Sequence, residues 1–438
     1  MCGWFSHQKK INHSLSYAWV YSISFRSPST RFSLLPVDSF RKKTGRLICT
    51  RCCSTLNHHP HSIERRWVEK LPRRWVLNKL FQVVAALSLQ SIGSSVEAAM
   101  GSTVDPSSSH EAAWKPLSVP TQSLLFDVDM DSKSHGWLIG ANGTILETHD
   151  GGEHWEPRTF DFLRMDEEIN YRFESISCYG NEGWIVGKPP ILLHTQNGGK
   201  DWERIPLSSK LPGEPVLITA LGPNRAELAT TAGAIYTTDN GGKNWKALVK
   251  ETIDATLNRT TSSGVTGASY YTGTVISITR DCNGYYLAIS SRGNFYVTWH
   301  PGQEYWTPHP RDSSRRIQSM GFVQNDIHKG LWMANNGGFL GFSPPNPSLD
   351  TVSSIPFQRV DIRTGGYGIL DVAFHQQKRN EVWASVGSGI LYRSFDGGKH
   401  WEKDPWLDHL GSVLYRIKFV ENSGFILGAK GTLLRYNG

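Results

Sequence analysis

His149-Asp150-Gly151-Gly152-Glu153-His154-Trp155 is one of four copies of a short pattern in this chain. Asp or Asn followed by Gly-Gly is typical of a hairpin turn, because the Asx side chain bonds the backbone ahead of it and glycine adopts positive φ angles without steric cost. The Trp that follows would begin the returning strand. Over the four copies, the structural residues of the repeat are Asp150, Trp155, Asn197, Trp202, Asn240, Trp245, Asp396 and Trp401.

Short apolar segments precede these turns and read as two further strands joined by a Gly turn. Gly136–Gly140 and Gly183–Gly187 are examples, each with Trp at its second position. Together with the Asx-Gly-Gly turn they give a repeat of roughly 40 to 50 residues that holds about four strands, which predicts the blade of a β-propeller.

Two counts of the repeat differ by one. A first-strand segment occurs seven times, beginning near residues 125, 173, 216, 275, 317, 369 and 415. The position that begins the last strand occurs six times, at Trp155, Trp202, Trp245, Trp306, Phe357 and Trp401.

The seventh repeat ends at Gly438 before its last strand, and Trp114-Lys115-Pro116-Leu117 resembles the missing piece. We therefore expect an all-β protein, a seven-bladed β-propeller over residues 114–438. Its ring would be closed by the N-terminal strand at Trp114, because closure removes the two exposed edges of an open array.

The segment ahead of the propeller differs in charge from the rest. Residues 1–100 contain 15 Lys and Arg against 4 Asp and Glu, whereas the whole chain has 46 and 39, so the remainder is net acidic. The basic charge of the whole chain therefore belongs to the leader, and we expect no nucleic-acid partner.

Two consecutive targeting signals are predicted in this cleavable leader. Residues 1–72 are rich in Ser, Arg and Lys and poor in acids, as in a chloroplast transit peptide. Residues 73–98 combine Arg73-Arg74, a short apolar run and the small-residue site Val96-Glu97-Ala98, as in a twin-arginine thylakoid signal. A single long leader with an incidental Arg73-Arg74 is the alternative.

The end of the leader bears on membrane attachment. The apolar run Leu80–Ile92 is shorter than the roughly 20 residues that a spanning helix needs, so we expect no membrane anchor after processing. Residues 99–113 are expected to form a flexible N-terminal segment.

The cysteines give no sign of a metal site or a disulfide. In the leader, Cys49 and Cys52 have a zinc-like spacing but no second pair nearby. In the propeller, Cys178 and Cys282 fall at similar places in two non-adjacent repeats, so we expect no disulfide between them. No metal and no cofactor are expected.

One alternative function follows from the repeat itself. The Asp-Gly-Gly-x-x-Trp turn resembles the Asp-box of sialidases and other glycan-active propellers, which suggests a glycoside hydrolase or a glycan-binding propeller. Hydrolysis would need paired carboxylates, or a Tyr nucleophile with an acid and an arginine cluster, at the channel mouth. We expect the inner-strand acids to form hydrogen bonds between blades instead, and therefore no enzyme; these acids are Asp127, Asp129, Glu174 and Asp371.

Basic residues concentrate at one end of the predicted blades, in the links that enter the inner strands and in the turns between second and third strands. These links and turns share one face of a propeller, and guanidinium groups bind carboxylates bidentately, so this face predicts docking of an acidic protein segment. The alternative is scattered solvated charges or partners of the blade acids. The predicted partner-binding residues are Arg172, Arg292, Arg315, Arg316, Arg363, Arg416, Lys188 and Lys430.

The twin-arginine signal, the Asp-Gly-Gly-x-x-Trp propeller, the strands at Trp137–Gly140 and Trp184–Gly187 and the arginine face together resemble the photosystem II stability and assembly factor family of chloroplasts and cyanobacteria. The resemblance covers residues 114–438. It implies a non-enzymatic factor of the thylakoid lumen that binds the newly made photosystem II reaction-centre core protein and promotes reaction-centre assembly and repair. It also implies a basic contact surface.

Further partner expectations complete this hypothesis. The precursor of the core protein and other early assembly subunits would be partners, and association with the thylakoid membrane would be peripheral, through proteins. We expect a monomer. The two-stage leader fits a nuclear-encoded plant or algal member of the family.

Overall fold

The computed structural model describes residues 112–164, 169–259, 273–407, 410–420 and 423–438. These residues form seven four-stranded antiparallel sheets, which confirms the seven-bladed propeller. The predicted transit peptide, the twin-arginine signal and nearly all of the flexible segment lie outside the described residues. No helix within these ranges is long and apolar enough to cross a membrane.

Strand β1 (Trp114–Leu117) precedes the first blade, and each blade then runs from its innermost to its outermost strand. Blade 1 contains β2 (Leu125–Met130), β3 (Gly136–Gly140), β4 (Ile145–Thr148) and β5 (Glu156–Pro157). After helix α1 (Asp161–Arg164), blade 2 contains β6 (Arg172–Tyr179), β7 (Glu182–Lys188), β8 (Ile191–Thr195) and β9 (Glu203–Arg204). Blade 3 contains β10 (Pro215–Gly222), β11 (Arg225–Thr230), β12 (Ile235–Thr238) and β13 (Lys246–Ala247).

Helix α2 (Ile253–Arg259) precedes blade 4, which contains β14 (Val275–Arg280), β15 (Tyr286–Ser290), β16 (Phe295–Trp299) and β17 (Thr307–Pro310). Blade 5 contains β18 (Ile317–Phe322), β19 (Leu331–Asn335), β20 (Phe339–Phe342) and β21 (Gln358–Val360). Blade 6 contains β22 (Ile369–Phe374), β23 (Val382–Val386), β24 (Leu391–Ser394) and β25 (Glu402–Lys403). Blade 7 contains β26 (Leu414–Val420), β27 (Ser423–Gly428) and β28 (Leu433–Tyr436).

The ring closes as the repeat count predicts. Strand β1 pairs antiparallel with β28, with Trp114 opposite Tyr436, and supplies the fourth strand of blade 7. The Trp114 side chain is 1% exposed, and its ring lies 5.5 Å from Trp383 of blade 6 and 5.1 Å from Tyr436. Backbone pairing and aromatic packing therefore hold the two ends of the propeller together.

The core lies between neighbouring blades, because the second strand of each sheet is covered on both faces. In β3 and β7 every residue is buried except the terminal Lys188, which explains why these strands are nearly continuous apolar runs. Trp137 of β3 meets the repeat Trp202 of the next blade edge-on, with ring centroids 5.3 Å apart. The repeated tryptophans therefore join consecutive blades.

The Asx-Gly-Gly turn closes through two side-chain acceptors. In the first copy, Asp150 Oδ1 accepts a hydrogen bond from His154 N at 2.9 Å, and Thr148 Oγ1 accepts one from Gly152 N at 2.9 Å. Gly152 has φ 88°, and a Cβ there would lie 2.6 Å from the Phe425 ring, so only glycine fits. The hydroxyl two residues before the Asx recurs in the other copies, at Thr195, Thr238 and Ser394.

Every innermost strand contains a β-bulge near its start, directly after the first paired residue in six blades and after the second, Phe173, in blade 2. The ladder with the second strand shifts register there in all seven blades. A bulge of this kind re-aims one side chain out of the alternation of the strand. The seven bulged residues are Phe126, Glu174, Val216, Ile276, Gln318, Leu370 and Tyr415.

Three of the four inner-strand acids bond the next blade, as predicted. Asp127 and Asp129 accept hydrogen bonds from backbone N–H groups of blade 2, at 3.1 and 2.8 Å. Asp371 accepts one from Ile417 N of blade 7 at 2.8 Å. These carboxylates fix the inner strands of adjacent blades in register.

The prediction for Glu174 is wrong. Its carboxylate pairs with Arg172 at 2.7 Å and with Lys188 at 3.6 Å, both in its own blade. Glu174 is the bulged residue of β6, so its side chain leaves the face that packs on blade 3. Ser175 and Ser177 accept the backbone N–H groups of that blade instead.

Candidate protein-docking face

The links that enter the innermost strands and the turns between second and third strands are joined by hydrogen bonds, and together they form what we call the link face. Gly143 N, in the turn after β3, donates to Tyr171 O before β6 at 2.7 Å. Ile317 N, at the entry to β18, donates to Gly293 O in the turn after β15 at 2.8 Å. The Asx-Gly-Gly turns join third to fourth strands and lie at the opposite ends of the blades, so all eight predicted basic residues share the link face.

Arg172 and Lys188 lie side by side at the blade 2 edge of the link face, where their backbones pair. Glu174 neutralises part of their charge, and Glu214 lies 3.3 Å from the Lys188 ammonium. The Arg172 guanidinium also stacks on the Phe126 ring at 4.0 Å. These two cations are already engaged within the protein.

Arg416 is also held internally, at the junction of blades 7 and 1. Its guanidinium donates to Phe126 O at 3.1 Å and lies 3.4 Å from Asp127 Oδ1. Lys430, in the turn after β27, is exposed and forms no ion pair with any described residue. Among the described cations at this junction, Lys430 alone has no internal partner.

Arg292 and Arg316 form a second group, at the junction of blades 4 and 5. Arg292 lies in the turn after β15 and Arg316 directly precedes β18, so the bond between Gly293 and Ile317 holds them close together. Both side chains are exposed, and neither forms an ion pair within the described part of the chain. Their charges face solvent without an internal carboxylate.

An aromatic residue extends this group along blade 5. The Arg315 guanidinium lies 3.8 Å from the Phe339 ring centroid, and Arg315 Nη1 donates to Asn336 O at 3.3 Å. Arg359, which the sequence analysis missed, lies at the same 3.8 Å from that ring. Its only sequence signal is its position two residues after the degenerate repeat position Phe357.

Arg363 completes the group in the link that enters blade 6. Its side chain is 91% exposed, and Asp361, 3.8 Å away, is almost as exposed, so this pair is weak. We call the set that spans blades 4 to 6 the basic arc; it consists of Arg292, Arg315, Arg316, Arg359 and Arg363. These guanidinium groups can donate hydrogen bonds to the carboxylates of a partner without first breaking a buried ion pair.

The acids at the junction of blades 7 and 1 are held by cations and by the backbone of the next blade. Lys418 Nζ lies 3.0 Å from Asp127 and 3.6 Å from Asp129. Burial would raise the pKa of Asp127, but the charges of Arg416 and Lys418 and the hydrogen bond from Ile176 N together lower it by more. For Asp129 burial prevails, and its pKa is raised. Both carboxylates also accept hydrogen bonds from backbone N–H groups of blade 2, so their oxygen atoms are engaged in the contact between blades 1 and 2.

A histidine cluster lies on the opposite face, in blade 1. His135 Nε2, the Glu147 carboxylate and His149 Nε2 offer ligand atoms within 4.8 Å of one another. Arg158 Nη1 lies 2.9 Å from Glu147, and His135 Nδ1 lies 2.5 Å from Asp131. Burial lowers the pKa of His135, but its two carboxylate partners raise it by more, so the group is satisfied as an ion-pair cluster.

Two other features of the propeller are its cysteines and a cavity in blade 2. Cys178 and Cys282 are both free, as expected. A cavity of about 420 Å³ opens at the outer edge of blade 2, between the turn after β7 and the link after β9. Its lining includes Ile205, Leu207 and Arg204.

The comparisons with known proteins identify the family. The family model described as photosynthesis system II assembly factor YCF48 matches residues 106–437. The photosystem II stability/assembly factor HCF136 of Cyanidioschyzon merolae is 54% identical over 395 residues, covering 88% of this chain and 89% of the relative. The HCF136 of Arabidopsis thaliana is 46% identical over 350 residues, covering 78% and 84%.

Solved structures agree. YCF48 from Cyanidioschyzon merolae superposes with a TM-score of 0.69 at 57% identity, covering 74% of this chain and 98% of that one. A structure described as YCF48 bound to D1 peptide superposes with a TM-score of 0.65 at 43% identity, covering 75% and 96%. A xyloglucanase at 15% identity and a TM-score of 0.51 shares the propeller fold alone. The chain therefore belongs to the YCF48 family of photosystem II stability and assembly factors.

Proposed function

We propose that this protein is a non-enzymatic assembly and stability factor that binds the D1 reaction-centre protein of photosystem II through its link face. It acts on newly made D1 and its precursor, together with other early assembly subunits, in reaction-centre assembly and repair. It works as a monomer that associates with the thylakoid membrane through these protein partners.

The observation that carries the proposal is the relative solved with a D1 peptide, which is 43% identical and covers 75% of this chain. The basic arc supplies a physical reason for such binding, because exposed guanidinium groups attract and grip carboxylate-bearing segments. The contact residues are those of the basic arc first, together with the exposed Lys430. Arg172, Lys188 and Arg416 come next, because their charges are partly used inside the protein.

The leader and the relatives support a location in the chloroplast, and we propose the thylakoid lumen within it. Relatives of this chain are described as chloroplastic. In the leader a transit-type segment precedes Arg73-Arg74. This order favours import into the chloroplast followed by transport into the thylakoid lumen. Immunogold labelling or protease protection of isolated thylakoids tests this; accessibility of the protein to protease added outside intact thylakoids would contradict it.

A charge-reversal experiment tests the binding proposal. Arg292→Glu with Arg316→Glu should strongly reduce capture of D1 by the tagged protein from solubilised young thylakoids, because two unpaired cations become anions on the link face. Thermal unfolding should stay nearly unchanged, since neither side chain is engaged in an ion pair with a described residue. Arg172 is a poorer choice, because Glu in its place would stand beside Glu174 and destabilise the blade.

The matched control is Lys200→Glu with Lys243→Glu. These two lysines are exposed in Asx-Gly-Gly turns on the opposite face, so the change in net charge is identical. Capture should persist in the control. Equal capture by both double variants would reject the link face as the contact.

A further inference from the structure

The seven β-bulges place a ring of side chains at one end of the central channel. Each bulge lies at the start of an innermost strand, and these strands start at the link face and line the channel. None of the seven bulged residues is buried. The bulges therefore form a repeated rim at the channel mouth, inside the circle of links that carries the basic residues.

The side chains of this rim are mostly apolar, although they stand at a water-filled opening. Five of its seven members are apolar or aromatic: Phe126, Val216, Ile276, Leu370 and Tyr415. Ile276 is 51% exposed, although isoleucine is among the residues most often buried in folded proteins. Only Glu174 and Gln318 are polar.

Other exposed hydrophobic side chains gather on the same face. Among the described residues, nine large hydrophobic side chains are exposed, and six of them lie on the link face: Leu124, Ile169, Ile276, Tyr367, Trp406 and Val413. Exposed apolar side chains concentrated on one face, with charged residues around them, are typical of a protein-interaction surface.

The rim and the cations are in direct contact at blades 7, 1 and 2. Arg172 stacks on Phe126, whose ring centroid lies 6.3 Å from that of Tyr415, and Arg416 donates to Phe126 O. A side chain seated on this aromatic pair would have two guanidinium groups beside it. A segment that combines an apolar residue with nearby carboxylates fits both features.

We infer that the channel mouth is an apolar anchor site: one apolar or aromatic side chain of D1 seats on the rim of bulged residues, while carboxylates close to it in the D1 sequence bind the surrounding arginines. This inference rests on the proposed function and specifies which chemistry selects the bound segment. The anchor provides affinity through desolvation, and the cations provide orientation and rate of encounter. A purely acidic segment would bind poorly.

Binding of overlapping synthetic peptides that span D1, measured by fluorescence anisotropy, tests the inference. Ile276→Ser with Leu370→Ser should weaken binding of the best peptide about ten-fold, because the seated side chain of the peptide loses apolar contact with the rim. Val352→Ser is the matched control, since Val352 is 43% exposed in the β20–β21 loop on the opposite face, and it should leave binding unchanged. Thermal unfolding of each variant checks the fold.

A second measurement does not depend on the stability of the variants. Replacing the apolar residues of the best peptide by Ser, one at a time, should identify a single position at which binding to the wild-type protein falls about ten-fold. If only acidic positions of the peptide matter, or if Leu207→Ser in the blade 2 cavity weakens binding and the rim variants do not, the anchor is not at the channel mouth and the inference is wrong. If no D1 peptide binds the wild-type protein, the proposed function itself fails.

Discussion

At the scale of single residues, the Asx-Gly-Gly turns depend on one acceptor atom rather than on a charge. Asp150 and Asn197 use Oδ1 in the same way, each accepting the N–H four residues ahead, at 2.9 and 3.0 Å. The second atom of the group differs: Asp150 Oδ2 lies 2.6 Å from the His154 ring nitrogen, whereas Asn197 Nδ2 donates to Asp201 Oδ2 at 2.9 Å. Asp and Asn copies should therefore differ in their response to pH.

Asp150→Asn should make the stability of the propeller less sensitive to acid. Although burial alone would raise the pKa of Asp150, hydrogen bonds from His154 and Thr148 lower it from 3.8 to about 2. A lowered pKa contributes stability above the unfolded value, and this stability is lost as the pH falls from about 4 to about 2. The side chain is largely exposed, so we expect a difference below about 1 kcal/mol.

The measurement is urea unfolding at pH 7 and at pH 3. The loss of unfolding free energy between the two should be smaller in Asp150→Asn than in the wild-type protein. Asn240→Ser is a comparison in a copy whose Asx side chain bonds, among the described residues, only the uncharged Thr238 and Asn244, and its effect should be the same at both pH values. An unchanged acid response in Asp150→Asn would show that the lowered pKa does not contribute to stability.

At the scale of elements, β1 is the only strand of its blade that is distant in sequence from the other three. It is four residues long, and two of these, Lys115 and Pro116, are exposed. Its hold on the ring therefore comes from four paired positions with β28 and from the buried Trp114. The stability of the closed ring therefore depends strongly on the packing of the Trp114 side chain.

Trp114→Ala should destabilise the propeller by about 3 to 5 kcal/mol, because it leaves a large cavity among Trp383, Phe419 and Tyr436. Hydrogen exchange should rise first in β28, whose outer edge loses its partner. Trp406→Ala is the control, since Trp406 is 55% exposed and its removal should cost less than about 0.5 kcal/mol. Equal unfolding free energies for the two variants would mean that β1 does not close the ring.

At the scale of the whole molecule, the chain separates its charges twice. The leader holds the excess of Lys and Arg, and the propeller, which is net acidic, still presents cations on one face. Within that face the structure distinguishes engaged cations, such as Arg172 and Arg416, from those of the basic arc. Long-range attraction of a partner comes from the second group, because its only neighbouring carboxylate among the described residues is Asp361, in a weak exposed pair with Arg363.

Capture of D1 should therefore weaken as salt is added. Raising the ionic strength from about 0.1 M to about 1 M shortens the screening length from about 10 Å to about 3 Å, which suppresses attraction between exposed charges. The association rate should fall more than the dissociation rate changes. The Arg292→Glu, Arg316→Glu variant should show little salt dependence; a wild-type rate that does not respond to salt would contradict an electrostatic role for the basic arc.

The sequence determined the blade, the number of blades and the closure of the ring. These follow from local rules: Asx-Gly-Gly sets a turn, alternation and apolar runs set strands, and one missing strand at the C-terminus matches one extra strand at Trp114. The sequence also predicted that the basic residues share one face. Once each strand is assigned to its place in the repeat, its direction in the antiparallel sheet is known, and so is the face on which each link and turn lies.

Only the tertiary structure decided which residues are available for function. Whether an arginine is free depends on the atoms beside it, and Glu174, Asp127 and Phe339 reach their partners through bulges and neighbouring blades that no spacing reveals. The error on Glu174 has this cause, since one extra residue in β6 turns its side chain away from blade 3. Arg359 was missed for the same reason: its role arises from a ring that lies on a different strand of the sheet.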